Sequence, residues 1–330
     1  MKNKKITKTI FLSLLLSPIS VNAEEVSALA YDEVALFIKD YAKEDKYSKE
    51  ELVEFFARTK IKKSIVKQSK NQPEVKLNWE TYRNKVVTKA KVEKGMKFIF
   101  DNMETLKRAE NEYGVPKEII TSIIGIESFY GKYKGNNKAL NAISTMAFEG
   151  SERRQSFFKK ELNAYLDYCF ENNLDPLSLN SSWAGAFGYP QFIPSSIQAY
   201  AIDFNDDGKV DLINNIEDAI GSVANYLKKN GWKKDNYIAE EVYNVNSNDF
   251  KMNTFKLNYT IQELKDKNVK IERNMRNSKK LKLFTLDTNE KQTYWVGYNN
   301  FLTITKYNRS NLYAMAVWDL ANKIKGEEVK

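Results

Sequence analysis

Residues 114–131 read GVPKEIITSIIGIESFYG, and one acid within this stretch governs how the rest of the chain is read. Gly114 and Val115 interrupt the preceding pattern. Pro116 suits the first position of a helix, and Glu118 sits where the helix dipole favours an acid. Ile119, Ile120, Ile123 and Ile124 then recur at the spacing of a stripe that faces a core. Four residues beyond Ile123 the same stripe arrives at Glu127, and Gly125 just before it leaves room for something to approach. A carboxyl drawn against an apolar wall has its charged form disfavoured. Its pKa then climbs from about 4.3 towards neutrality, where a general acid works. A helix-end Glu paired with Lys132 or Arg154 fits the same spacing, and the stripe alone does not separate the two readings.

Working outward, composition narrows the chemistry. The 330 residues include no histidine, which removes Ser-His-Asp and Cys-His catalysis and nearly every zinc or non-haem iron site. The single cysteine, Cys169, falls in a helical pattern from Glu161 to Phe170 and reads as a small buried hydrophobe. Catalysis therefore rests on carboxylates, tyrosines, lysines, arginines or an acquired cofactor; no organic cofactor is expected.

Residues 1–23 have the form of a cleavable export signal. Lys2, Lys4, Lys5 and Lys8 make a basic start, Ile10 to Leu16 an apolar segment, and Val21-Asn22-Ala23 a small-residue cleavage site. The apolar run is too short to span a bilayer, and no cysteine follows it to take a lipid. The expectation is a soluble periplasmic protein, exported and monomeric. Removing the signal takes away four lysines and no acids, so the net charge falls from +9 to +5. An excess that small suits an acidic wall polymer better than nucleic acid.

Four sections follow the pattern: the signal, a helical lobe over 24–112, a core over 113–235, and a C-terminal segment over 236–330. In the first lobe, Tyr31 to Tyr41 spaces a short helix and Ser48 with Glu51 forms a capping-box pair. Lys60 to Lys70 reads as a solvated loop or helix face, and Gln72-Pro73 breaks the chain. A long helix is predicted over Val92–Glu112 with Met96, Ile99, Met103 and Leu106 on one face. The core adds a helix around Arg153–Asn172. Beyond Trp232, short alternating pieces at Thr254–Ile261 and Leu281–Leu286 predict a minor β element or loops, Tyr294–Thr305 reads as one or two strands, and Ser310–Lys323 predicts a closing helix.

Three further constellations bear on function. Residues 181–200, SSWAGAFGYPQFIPSSIQAY, mix small residues, neutral polar groups and rings. Gly185 and Gly188 let backbone come close to a ligand, while Trp183, Phe187, Tyr189 and Phe192 offer flat faces suited to a sugar. A buried crossing between helices reads equally well. From Asp203, the run DFNDDGKVD places oxygen side chains at positions 1, 3, 5 and 9 with glycine at 6, matching the start of an EF-hand loop. Position 12 is Asn214, so either Glu217 or Asp218 closes a lengthened calcium loop or this is an acidic turn. Finally, Tyr307 and Tyr313 flank a helix start, facing a cleft or half-buried.

Together these motifs resemble the membrane-bound lytic transglycosylase B family of peptidoglycan-cleaving enzymes. The matching runs are YGVPKEIITSIIGIESFYG, ERRQSFF, AGAFGYPQFIPSS, DFNDDGKVDL with DAIGSVANYL, and YWVGYNNFLTITKYNRSNLYAMAVWDL, in order from about Tyr31 to Asn322. The resemblance implies a mainly α (α+β) fold with a lysozyme-like catalytic core, an added helical lobe and a small β element. It implies cleavage, without water, of the β-1,4 bond between N-acetylmuramic acid and N-acetylglucosamine in peptidoglycan glycan strands. Glu127 matches the family's acid/base. Ser182, Gln191, Tyr226, Tyr307 and Tyr313 match cleft positions, as do Arg153 and Arg154, which could meet peptide-stem carboxylates. Asp203, Asn205, Asp207, Lys209 and Asp218 fall on metal-loop positions for a structural Ca²⁺. The absent lipid-anchor cysteine departs from named members.

Glycosidases usually need two carboxylates, and this core offers one well-placed acid. The substrate's own N-acetyl oxygen can supply the missing stabilisation, as in substrate-assisted enzymes. Two rivals remain at this point: a hydrolytic muramidase, and a non-catalytic peptidoglycan-binding protein that kept the cleft.

Overall fold

The computed structural model describes residues 25–70, 77–272 and 280–326. The export signal and the Gln72-Pro73 break lie outside the described residues. Helices dominate, and the first lobe opens with a short antiparallel pair, β1 (Glu25–Ser27) with β2 (Lys60–Lys62). Between them run α1 (Asp32–Tyr41) and α2 (Lys49–Arg58), the latter opened by the capping box of Ser48 and Glu51. In α1 the inward positions are Val34, Ile38 and Tyr41, while Leu36 points to solvent. The lysine-rich run, expected as a solvated loop or helix face, is β2 followed by α3 (Lys63–Gln68), pinned by the buried Ile61 and Ile65.

α4 (Trp79–Val86) leads to α5 (Lys89–Asp101) and α6 (Met103–Tyr113). The single long helix expected over Val92–Glu112 is thus two. Asn102 leaves helical geometry at φ −122° and turns its side-chain amide back onto the Phe98 carbonyl at 2.9 Å. Ile99 and Leu106 are buried on either side of that break, while Met96 is exposed.

α7 (Lys117–Ser128) is the hub, with α5, α6, α11 (Ile216–Lys229) and α14 (Asn311–Lys325) packed around it. Its start lies one residue later than the sequence pattern placed it, with Pro116 as the capping residue. Ile119, Ile120, Ile123 and Ile124 are all buried, as the stripe requires. The core continues through β3 (Asn137–Lys138), α8 (Ala139–Phe148) and α9 (Glu152–Glu171), then β4 (Asn180–Ser181) and α10 (Pro194–Tyr200). Every residue of α8 is buried, and Cys169 on α9 is wholly enclosed.

The C-terminal section adds an antiparallel sheet in the order β5–β7–β6: β5 (Ala239–Val242), β7 (Gln292–Gly297), β6 (Lys282–Asp287). The period-two rule divides β6 between two cores. Phe284 and Leu286 face the main core, and Leu283, with neighbouring Leu281, enters a second one with Val242, Val296 and Tyr298. Of the alternating pieces, Leu281–Leu286 supplies β6 and Tyr294–Thr305 supplies one strand, within β7. Thr254–Ile261 is loop apart from one bridge between Tyr259 and Leu281, running into α12 (Ile261–Asp266). Beyond Gly297 the chain turns into α13 (Asn299–Tyr307), whose Phe301 and Ile304 sit one helical turn apart in the main core. This helix, with α14, brings the tyrosines of the C-terminal section to α7. No helix among the described residues is long and apolar enough to cross a membrane.

Candidate active site

Glu127 occupies the penultimate position of α7 and is half-buried. The helix ends directly after it in an abrupt reversal. Phe129 and Tyr130 both adopt left-handed backbone, at φ 51° and 58°, and the amide of Tyr130 reaches back to the Ile124 carbonyl at 3.4 Å. Two non-glycine residues in this region cost on the order of 1 kcal/mol each, so the packing must hold them there. Ser128 helps, donating to the Ile124 carbonyl and accepting from the Gly131 amide at 2.9 Å.

Gly125 makes room, but for the protein itself. A Cβ there would lie 2.6 Å from the Tyr130 ring, whose hydroxyl donates to the Lys91 carbonyl at 2.8 Å. Gly185 and Gly188 correct the ligand reading in the same way. A Cβ on the first would strike Ile143, and on the second the Leu212 carbonyl. Of the four rings expected to offer flat faces, Phe187 and Phe192 are core; Trp183 and Tyr189 are half-buried.

The Glu127 carboxylate accepts a hydrogen bond from the Tyr313 hydroxyl at 2.5 Å. Tyr313, on the first turn of α14, lies parallel to Tyr307 with centroids 6.3 Å apart, and Tyr307 meets Tyr226 edge-on at 4.8 Å. The hydroxyls of the outer two are fixed by backbone carbonyls: Tyr307 donates to Pro190 at 2.5 Å, Tyr226 to Lys306 at 2.7 Å. Burial, reinforced by the negative charge of Glu127, pushes the Tyr313 and Tyr307 phenols well above their ordinary range. Tyr226 is raised by burial, then by Tyr200, then by Glu127. All three therefore stay neutral donors around the acid.

Gln191 joins this cluster through its neighbours Pro190 and Phe192, the latter ring lying 5.7 Å from Tyr307. Its backbone is left-handed at φ 50°, and its amide nitrogen donates to the Gly188 carbonyl at 2.9 Å. Ser182 holds the loop closed, its hydroxyl oxygen accepting from the amides of Ala184 and Ala186 at 3.2 Å each. Arg153 and Arg154 lie apart from the tyrosines. They line a pocket of about 880 Å³ with Trp183 and Lys70, the Arg154 guanidinium 5.9 Å from the Trp183 ring. Glu127 is not in that pocket's lining.

Sequence reasoning missed two residues here. Lys91 on α5 has its amine lowered by burial, with the charge of Glu127 pulling the other way, and Tyr82 on α4 adds to the field on Tyr313. Both come from the first lobe, and no spacing within that lobe could reveal that α7 lies beside it.

In the acidic loop, Asp203 accepts from the amides of Asp207 at 3.1 Å and Gly208 at 2.6 Å. Asp218 is fully buried and accepts from Phe204 and Asp211, each at 2.8 Å, whereas Glu217 turns towards Arg108 and Thr105 of α6. Asp218, not Glu217, therefore faces the loop. Among the described residues no group of three or more carboxylates comes together as a ready metal cage, since these carboxylates are spent on backbone amides. The donor set nonetheless fits a hard cation. Asp203, Asn205, Asp207 and Asp218 are all oxygen donors, and the Asn205 side-chain oxygen is buried without a hydrogen-bond partner.

Residues 30–322 match the family described as the transglycosylase SLT domain. Membrane-bound lytic murein transglycosylase B of Escherichia coli (strain K12) is 36% identical over 297 residues, covering 87% of this chain and 81% of that protein. The solved structure of the Escherichia coli lytic transglycosylase Slt35 in complex with calcium superposes at TM-score 0.83 with 36% identity, covering 91% of this chain and 94% of that one. SltB3 from Pseudomonas aeruginosa, solved in complex with NAG-NAM-pentapeptide, gives TM-score 0.78 at 27% identity, covering 89% and 79%. With its mainly α, lysozyme-like fold and the motif order set out above, this chain belongs to the SLT-domain family of peptidoglycan lytic transglycosylases.

Proposed function

We propose that Glu127 is the sole acid/base of a non-hydrolytic cleavage of the MurNAc–GlcNAc β-1,4 bond, giving a 1,6-anhydromuramoyl end. The observation that carries this reading is the make-up of its surroundings. The charge of Glu127 raises Tyr226, Tyr307 and Tyr313 alike, and one group bonded to it is a neutral phenol. In this reading a single acid/base among tyrosines takes the place of the pair that a two-carboxylate mechanism uses.

In the proposed sequence, Glu127 gives its proton to the leaving GlcNAc oxygen as the C1–O4 bond breaks. The substrate's N-acetyl oxygen stabilises the charge at C1. The Glu127 carboxylate then takes the proton of the 6-hydroxyl as O6 bonds to C1, which restores the acid and consumes no water. The Tyr313 hydroxyl steadies the carboxylate between these steps, as a donor to the charged form. Gln191 and Ser182 position the N-acetyl group, while Tyr226 and Tyr307 form the wall of the saccharide groove. Arg153 and Arg154 meet stem carboxylates at the Trp183 pocket. Alignment of this kind supplies much of the rate.

Asp203, Asn205, Asp207 and Asp218 with the Lys209 carbonyl would hold a structural Ca²⁺, which would tie the loop to α11 and lend no step to the reaction. The calcium complex of Slt35 and the unpartnered Asn205 oxygen support this. Export by residues 1–23 would deliver a soluble monomer to the periplasm, where its polymer is. The test is digestion of purified sacculi followed by mass spectrometry. Products lighter by one water than reducing muropeptides are expected, and no release by Glu127→Gln. Reducing ends would make the enzyme a muramidase.

A further inference from the structure

A second pocket, of about 930 Å³, opens on the C-terminal lobe beside the segment that carries Tyr307 and Tyr313 to Glu127. Its lining includes three cations, Lys251, Lys256 and Arg309, against one acid, Asp249. Arg309 is exposed, and its guanidinium centre lies 4.9 Å from the centroid of the Phe255 ring. The same ring lies 4.7 Å from the amine of Lys282, which is fully buried and donates to the Asn311 side-chain oxygen at 2.5 Å. Phe255 thereby touches both a buried amine and a presented guanidinium.

Stacking on a ring holds a guanidinium planar with its edge donors outward. Arg309 makes no ion pair among the described residues, so those donors face solvent and the pocket. Its place in the chain matters as much. Arg309 follows Tyr307 by two residues, a span of at most about 7 Å, and directly precedes Ser310, the cap of α14. A strand seated at the tyrosines and running on past Tyr307 passes this arginine.

We propose that Arg309, stacked on Phe255, anchors a subsite that binds a carboxylate of a peptide stem carried by the glycan strand. The proposal rests on the reading that the tyrosine groove seats a glycan, and it is separate from the Arg153–Arg154 pocket. A planar guanidinium takes a carboxylate through two parallel hydrogen bonds, which a lysine cannot reproduce. Lys251 and Lys256 add a positive field that draws an anionic stem towards the pocket.

The test uses the full-length protein on two soluble substrates, glycan strands bearing uncross-linked stems and the same strands stripped of peptide by an amidase. The readout is the ratio of kcat/KM between them. Wild-type protein is expected to prefer stem-bearing strands. Arg309→Ala should shrink that preference about tenfold, through KM on the stem-bearing substrate, a loss typical of one charge-assisted pair. Arg309→Lys should recover only part of it. A preference that survives Arg309→Ala, or a wild-type ratio of one, overturns the subsite. If wild-type protein cleaves neither substrate, the proposed chemistry has failed instead. Calorimetric binding of stem-bearing strands then decides the subsite, with affinity about tenfold weaker for Arg309→Ala if it exists and equal if it does not.

Discussion

Glu127 and Asp218 are two acids set into the same helical core and held in opposite ways. Asp218 is fully enclosed and accepts from the backbone amides of Phe204 and Asp211, donors that cannot leave. Burial raises its pKa and those amides pull it back, so its role is to shape the loop around it. Glu127 is half-buried and accepts from a phenol on a helix more than a hundred and eighty residues further along. An acid gripped by main chain builds structure, and one attended by side chains keeps its proton exchangeable.

The sharpest way to break that contrast is to remove each acid and read both activity and melting. Glu127→Gln should cut release of soluble fragments from sacculi about a thousandfold, within the usual range for general acid–base groups, with little change in melting temperature. Asp218→Ala should do the reverse. It strands buried amides at a cost of about 3 kcal/mol, a fall of several degrees, while the folded fraction still turns over. A Glu127→Gln protein within tenfold of wild type would end the catalytic reading.

What could be read from the sequence follows the same division. The isoleucine stripe that delivers Glu127 to a wall, the capping box at Ser48 and the closing helix are all local patterns, and each is present. The family resemblance is equally borne out. Glycines were read less well. Gly125, Gly185 and Gly188 look like space for a ligand, yet Tyr130, Ile143 and Leu212 fill it, because a missing side chain does not say what takes its place. The break at Asn102 was hidden by a run of good helix formers. Of Tyr294–Thr305, read as one or two strands, the first part is β7, while the rest is helical, its run of β-branched Thr303, Ile304 and Thr305 favouring a strand locally. Tyr82 and Lys91 lie far from Glu127 in sequence and were beyond any periodicity argument.

Tyr313→Phe probes the side-chain half of the contrast. Losing the hydroxyl that donates to Glu127 should lower kcat about ten- to a hundredfold, the worth of one bond to a charged group, with KM little moved. Because the Tyr313 and Tyr307 phenols are raised, they remain protonated past pH 10, and an ultraviolet titration should show them ionising after the exposed tyrosines. The main-chain half is probed by chelation. If the loop holds calcium, removing it from protein kept at a hundred times its Kd should cost about 2.7 kcal/mol and lower the melting temperature to match. Identical melting with and without chelator would leave Asp218 serving the bare loop.

Lys282 offers a third kind of buried charge, with no carboxylate paired to it among the described residues. Its β6 position points it into the main core, where the Phe255, Phe284 and Phe301 rings surround the amine within 4.7 to 5.3 Å. Burial pushes it down to about 7, while the ring faces and the Asn311 oxygen favour the cation. The linkage has a definite sign. Between about pH 7 and 10.5 the unfolded chain carries a proton on this amine that the folded chain has shed, so stability rises with pH across that window. Over pH 7 to 9 the gain is about 2 kcal/mol. Lys282→Met should flatten that rise, whatever constant offset comes from losing the bond to Asn311. Denaturant titrations at pH 7 and 9 give the comparison directly, since the offset cancels between them. Equal slopes in the two proteins would mean that the rings hold Lys282 charged, and that desolvation by the core is weaker there than at the tyrosines.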